Sequence, residues 1–295
     1  MARRALLLLN PNARNGSTPI DEVMEILRAG GIDLIEERCS QDCPATELIR
    51  KYADKIDLVI VGGGDGTMNA AAPGLVETGL PLGILPLGTA NDLARTLGLP
   101  MDAPGAARAI VAGVTRMLDL GEVNGHLYFN VASIGFSATL ARHLTREAKK
   151  RWGVIGYAIA ALRLLAQSRP FRVHIEHDGT IETVRTMQVS VGNGRHYGGG
   201  MTVKDTAEPD DGRLDVYSLE VSHGGELIAL FPALRKGTQR RSKNVRAFST
   251  SRDVRVTTRR RHDVNADGEL VTVTPAHFSI RRNAITAFVP APNLS

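Results

Sequence analysis

Short, mostly apolar runs separated by amphipathic stretches fill the first 120 residues. Leu6–Leu9, Ile32–Glu36, Leu58–Val61 and Leu82–Leu85 read as strands, and Ile20–Arg28, Thr46–Ala53, Met68–Glu77, Ala90–Leu97 and Pro104–Ala112 as helices. Strands that are apolar on both faces and alternate with helices predict a parallel sheet covered on both sides.

The pattern changes near Met117. Asn124-Gly125 between Leu118–Val123 and Leu127–Val131 predicts a two-residue hairpin, and Asp178-Gly179 does the same between Phe171–His177 and Ile181–Val191. Helical stretches are expected over 136–149 and 153–167, then strands dominate: Leu214–Glu220, Asp263–Ala266 and Leu270–Val273, with one helix near Glu226–Lys236. The expected organisation is an α/β domain over 1–122 and a mainly antiparallel, sandwich-like domain over 123–284, with a final strand at about 285–295 returning to the first.

Composition narrows the classes. Only Cys39 and Cys43 occur among 295 residues, so a disulfide framework is excluded and a reducing, cytoplasmic setting is expected. Aromatics make up 4% of the chain, too few for a base-stacking platform, and no nucleic-acid motif accompanies the net charge of +5. The positive residues gather late, at Arg235, Lys236, Arg240, Arg241, Lys243, Arg246 and Arg259-Arg260-Arg261. That excess reads either as a solvated face or as attraction to an anionic membrane surface. Trp152–Ala166 is the longest apolar stretch, too short to span a bilayer and interrupted by Arg163. It reads as a packed helix or as a lipid-facing lid.

Candidate chemistry lies at strand ends. Gly62-Gly63-Gly64-Asp65-Gly66-Thr67 follows one apolar run, and Pro86-Leu87-Gly88-Thr89-Ala90-Asn91-Asp92 follows the next. Each leads into a helix, so two sets of bare backbone N–H groups converge where anions bind. Asp65 would repel a phosphate unless a cation stood between them, which points to Mg-nucleotide. Gly-x-Gly-x-x-Gly and Gly-Lys-Ser/Thr fingerprints are both absent. His174 and His177 fall on one strand with opposite facing, which argues against joint metal binding.

Asn10-Pro11, the Gly63–Thr67 loop and the Pro86–Arg95 segment together resemble the diacylglycerol/sphingosine kinase catalytic family, closest to its soluble bacterial lipid kinases. Asp119-Leu120-Gly121, Asp210-Asp211-Gly212 and Asp267-Gly268-Glu269 extend the resemblance through the second domain. The fold it implies is an NAD-kinase/phosphofructokinase-like α/β domain followed by a β-sandwich. The activity it implies is ATP- and Mg2+-dependent phosphorylation of a lipid hydroxyl, on diacylglycerol, phosphatidylglycerol or another glycerolipid. By the same resemblance Asn10, Ser40, Gly63, Gly64, Asp65, Gly66, Thr67, Met68, Asn69 and Thr89 hold the nucleotide. Asp267 is the general base, with Asp119 and Glu269 around it. Glu208, Asp211 and Arg213 hold a structural Mg2+, Asp211 through its carboxylate; the bare sequence without the resemblance favours an ordinary Asp-Gly turn before Leu214–Glu220. The resemblance places the enzyme at the inner face of the membrane, and a homodimer stays open. Asp267→Asn is expected to leave folding and ATP binding largely intact while removing most turnover. A kinase of a soluble nucleotide such as NAD, or a non-catalytic nucleotide- or lipid-binding regulator, remain the alternative readings.

Overall fold

The structure is a computed structural model describing residues 3–10, 20–39, 44–143, 160, 163–194, 196–197, 201–202, 208–236 and 242–291. Pro11, Ser40, Cys43, Lys149 to Arg151, most of Trp152–Ala166, most of Gly194–Gly200, Arg240 and Arg241 lie outside the described residues.

In chain order the first elements are β1 (Arg3–Leu9), α1 (Ile20–Ala29), β2 (Ile32–Arg38), α2 (Ala45–Tyr52), β3 (Leu58–Gly63), α3 (Asp65–Thr78), β4 (Leu82–Pro86), α4 (Asp92–Thr96) and α5 (Ala103–Ala112). Then come β5 (Thr115–Val123), β6 (His126–Tyr128), β7 (Val131–Gly135), α6 (Phe136–His143), β8 (Phe171–His177), β9 (Thr180–Thr186) and β10 (Gln188–Gly192). The remainder are β11 (His196–Tyr197), β12 (Met201–Thr202), β13 (Leu214–Leu219), α7 (Gly224–Lys236), β14 (Val245–Thr250), β15 (Val254–Thr258), β16 (Asp263–Ala266), β17 (Glu269–Val273) and β18 (Ala276–Phe288).

Two compact units result, one of residues 1–120, 198–200 and 282–295 and one of 121–197 and 201–281. In the first, β2-β1-β3-β4 form a parallel sheet with Leu7 opposite Ile60 and Gly62 opposite Leu85, and the end of β18 adds beside β4. Leu6, Leu7, Leu8, Val59, Ile60 and Val61 are fully buried, which explains why these strands carry no polar face. Val23 and Leu27 of α1 and Ala106, Ala107 and Ile110 of α5 pack into one cluster with Leu7 and Ile60. Asp102 caps α5 by accepting the Gly105 N–H at 2.7 Å.

The second unit is a sandwich. One sheet runs β14-β13-β10-β7-β16-β17, and β8, β9 and β15 with the start of β18 build the facing layer. Ala132, Ile134, Val189, Val191 and Val216 meet Val173, Ile175, Val254, Val256 and Phe278 in its core. The other face of the six-stranded sheet buries Tyr217 and Leu219 with Leu227 of α7. The run Ile181–Val191, expected as one strand, is two. β9 pairs with β8, whereas β10 pairs with β7 and β13. The buried Thr186 hydroxyl donates to the Gln188 and Leu219 carbonyls at this crossing, and the Met187 N–H bonds to Leu219 as well.

Candidate functional site

Three strand ends of the first unit gather the cradle. β3 runs into α3 at Gly64-Asp65, so Asp65 and Gly66 present first-turn N–H groups that a helix leaves without an acceptor of its own. The turn after β4 packs against it. A Cβ on Gly88 would stand 2.4 Å from the Gly64 Cα, and one on Gly63 would stand 2.4 Å from the Thr67 Oγ1. The two loops therefore touch backbone to backbone, and the Leu87 N–H bonds to the Gly63 carbonyl at 3.1 Å.

Asn91 holds the second loop. Its backbone is left-handed at φ +51°, its Oδ1 accepts the Gly88 N–H at 2.9 Å, and its Nδ2 donates to the Pro86 and Gly88 carbonyls. Asp65 joins the loops, because its Oδ1 accepts the Leu93 N–H at 3.1 Å in the first turn of α4. From β1, Asn10 donates through Nδ2 to the Thr67 hydroxyl at 2.9 Å. Met68 is buried in the core, so only its backbone faces the loop, while Thr89 is exposed. Asn69 has a buried Oδ1 without a hydrogen-bond partner among the described residues. Asp119, also in this unit, is 3% exposed and accepts the N–H of left-handed Asn283 at 2.7 Å. That bond holds the left-handed residue within β18, a structural duty the sequence did not announce.

In the second unit Asp267 and Gly268 form the β16–β17 hairpin tip, with φ of +46° and +97°. The Asp267 carboxylate accepts three consecutive backbone N–H groups, from Phe129 to Oδ2 at 2.7 Å, from Asn130 to both oxygens, and from Val131 to Oδ1 at 2.9 Å. Such a nest fixes the carboxylate's orientation and places an anion where a neutral group would leave donors unmet. Tyr128 lies fully buried beside it with its hydroxyl unpartnered among the described residues, and burial together with the Asp267 charge pushes that phenol well above its ordinary value. Glu269 is exposed on the edge strand next to the tip.

The 208–213 segment closes on itself. The Arg213 N–H bonds to Asp211 Oδ1 at 2.9 Å, the Asp211 N–H reaches the Glu208 carbonyl at 3.4 Å, and Gly212 takes φ +67°. Among the basic residues of the late cluster, Arg246 is engaged by Glu220 at 2.7 Å and Glu182 at 2.8 Å, which removes it from any free basic face. His174 bonds to Thr183, whereas the His177 ring stacks on Phe248 at 3.7 Å, so the two point apart.

Residues 4–123 match the diacylglycerol kinase catalytic domain, and residues 130–289 match the YegS C-terminal NAD kinase beta sandwich-like domain. A diacylglycerol kinase of Mycobacterium tuberculosis is 34% identical over 280 residues, covering 90% of this chain and 87% of that protein. The chain belongs to the diacylglycerol kinase catalytic family. A diacylglycerol kinase of Bacillus subtilis is 27% identical over 94% of this chain and 93% of its own length. The crystal structure of a diacylglycerol kinase from Bacillus anthracis aligns over 99% of both chains with a TM-score of 0.81 at 28% identity. The family is one of lipid kinases, and the chain is an enzyme of that class. Among the described residues no helix is long and apolar enough to cross a membrane.

Two cradle residues within the Pro86–Arg95 segment were not expected as site residues. Asn91 is the staple of the second loop, and Asp92 is a carboxylate only 5% exposed in the first turn of α4. The Asn-Asp pair, both cap-forming types, at the start of the helix expected near Ala90–Leu97 was the available signal.

Proposed function

We propose that this lipid kinase transfers the γ-phosphoryl group of Mg-ATP to a hydroxyl of a glycerolipid such as diacylglycerol or phosphatidylglycerol. The observation that carries the reading is the backbone contact of Gly64 with Gly88, which leaves two glycine turns bare of side chains around one set of N–H donors. A phosphate chain fits such a cradle, and a Cβ at either position would fill it. Bound Mg-ATP supplies the phosphoryl group and neutralises charge on its oxygens.

The chain's own residues do the rest. The Gly64–Gly66 N–H groups and Thr89 hold phosphate oxygens, and Asn10 keeps Thr67 in place from β1. Asp65 has one oxygen on Leu93, and its other oxygen has no partner among the described residues, which suits it to cation-bound water. Asp267 accepts the proton of the lipid hydroxyl. The backbone nest holds its oxygens still, and phosphoryl transfer through a loose transition state needs the proton removed only late. Glu269 and Asp119 organise solvent and backbone around these groups.

The Glu208–Arg213 turn offers an oxygen-only donor set of one carboxylate and main-chain carbonyls, which fits a hard cation, and a structural Mg2+ there is part of the proposal. The enzyme works at the cytoplasmic face of the membrane, where its substrate resides.

Transfer of labelled γ-phosphate to mixed micelles of diacylglycerol, phosphatidylglycerol, ceramide, sphingosine and monoacylglycerol, beside soluble NAD, tests the reading. Label in a glycerolipid, lost in Asp267→Asn, is the expected result. Label on NAD, or on no acceptor despite bound ATP, overturns it.

A further inference from the structure

Asp263 and Asn265 share one face of β16, and Asp267 follows at its hairpin tip. Asp263 lies four residues from Asp267, about 13 Å at the 3.3 Å rise of a strand. At that far end a cavity of about 210 Å3 opens, lined by Gly135, Ala138, Thr139, Arg142, Arg261, His262 and Asp263. It is smaller than the roughly 300 Å3 at which cofactor pockets begin, so it suits a single small group.

Its charge is cationic. Arg142 donates to Asp263 at 2.9 Å, and that pair is internally balanced. Arg261 has no hydrogen bond or ion pair among the described residues, so one positive charge is left over. The guanidinium of Arg142 carries five N–H donors, of which Asp263 uses only part.

The backbone that presents these groups is preset. Thr258 donates to the Arg260 carbonyl at 2.7 Å, the His262 N–H bonds to Thr274 Oγ1 at 3.0 Å, and the Thr274 N–H returns to the His262 carbonyl at 2.9 Å. The His262 ring is stacked on Phe171 at 4.2 Å, and its nitrogens have no partner among the described residues. Two guanidinium groups and an imidazole around a small polar cavity match the tetrahedral oxygens of a phosphate, the geometry for which arginine is suited.

We infer that this cavity is a phosphate-binding site, separate from the glycine cradle and from Asp267. A phosphate group can reach it as the headgroup of an anionic lipid or as free phosphate. β7 and β16 carry this site at one end and the Asp267 hairpin at the other, so its occupancy bears on the strand that positions the base.

The test needs no turnover. The His262 imidazole signals of the whole protein are followed by NMR while inorganic phosphate is added, for the wild type and for Arg261→Gln. Sedimentation with vesicles of phosphatidylcholine alone and with 30% phosphatidylglycerol is measured in parallel, with Arg28→Gln as an equal change of charge on the other unit. Saturable movement of the His262 signals in the wild type, lost in Arg261→Gln, supports the site. At least threefold weaker binding of Arg261→Gln to the phosphatidylglycerol vesicles, with Arg28→Gln unaffected, then assigns it to a lipid headgroup. Equal vesicle binding of all three proteins, with the phosphate response intact, assigns it to free phosphate. Signals that ignore phosphate, or respond alike in Arg261→Gln, overturn the proposal.

Discussion

Gly88 has no room for a side chain because of Gly64, whose Cα would stand 2.4 Å from a Cβ built on Gly88. Neither backbone can yield cheaply, since the Gly88 N–H is also held by Asn91 and Leu87 is tied to Gly63. Gly88→Ala should therefore push the two turns apart, costing about 1–3 kcal/mol of stability from overpacking. Affinity for Mg-ATP should fall by about tenfold or more as the N–H groups lose their common focus. Calorimetric titration checks this, and unchanged affinity would mean that the loops do not act together.

Asn91→Ala removes three hydrogen bonds and places alanine at φ +51°. The loss should be about 2–4 kcal/mol, from hydrogen bonds of about 1 kcal/mol each and a left-handed residue that costs about 1 more. Asn91→Gly relieves the backbone term but not the staple, so it should recover only a minor share. Denaturant midpoints of the two variants separate the contributions, and equal stability of glycine variant and wild type would refute the staple.

Asp267→Asn carries a structural cost as well as a catalytic one. Asparagine tolerates the left-handed turn, but its amide would turn N–H groups toward Phe129, Asn130 or Val131, which are themselves donors. Asp267→Asn should cost about 1–3 kcal/mol through the unmet donors in addition to abolishing most turnover. Turnover measured well below the variant's melting temperature distinguishes the two effects. Normal activity there would remove Asp267 from the role of base.

The same geometry shows what the sequence could and could not reveal. The Asn124-Gly125, Asp178-Gly179 and Asp267-Gly268 turns were legible because type I′ chemistry is local, and all six residues have positive φ. The parallel strands were legible because burial on both faces leaves a continuous apolar run. The partners of Asp267 were not legible, since they stand 136 or more residues away in sequence. Nor was the break at Met187, because alternation along a strand does not say which sheet the strand joins. A hydroxyl inside the sandwich, that of Thr186, marks the change of sheet, yet threonine is common in any strand.

Asp211→Ala divides the two readings of the 208–213 segment. The carboxylate accepts the Arg213 N–H whether or not a cation is present, so a loss of about 1 kcal/mol is expected from the turn alone. A structural Mg2+ adds a second term that chelator removes. The wild type should lose thermal stability in chelator while Asp211→Ala does not. Melting curves with and without chelator decide, and equal responses in both proteins would leave an Asp-Gly turn and no ion.

Gly121 and Tyr128 face each other across the β5–β6 hairpin, and a Cβ on Gly121 would come within 2.1 Å of the tyrosine ring. The ring is fully buried beside Asp267 and cannot retreat, so Gly121→Ala should be among the costlier single substitutions, about 1–3 kcal/mol. Because the hydroxyl has no partner among the described residues, Tyr128→Phe should be neutral or mildly stabilising. Thermal melts of both variants test the pair, and a strongly destabilised Tyr128→Phe would reveal a bond to that hydroxyl.

Acid sensitivity should have a component from His262. Burial lowers its folded value below the ordinary 6.5, against a smaller opposing pull from Asp263. Arg142 and Arg261 line the same cavity, and neither favours a protonated ring. The unfolded chain thus binds the proton first, and stability rises with pH through this window. The contribution is complete above about pH 6.5, where both states are neutral, and is lost as pH falls toward the folded value. Urea midpoints of the wild type and His262→Gln between pH 5 and 8 isolate the effect from that of the carboxylates. The wild type should weaken more steeply than the variant on the acid side, and parallel curves would place His262 in contact with solvent rather than in a site that resists its charge.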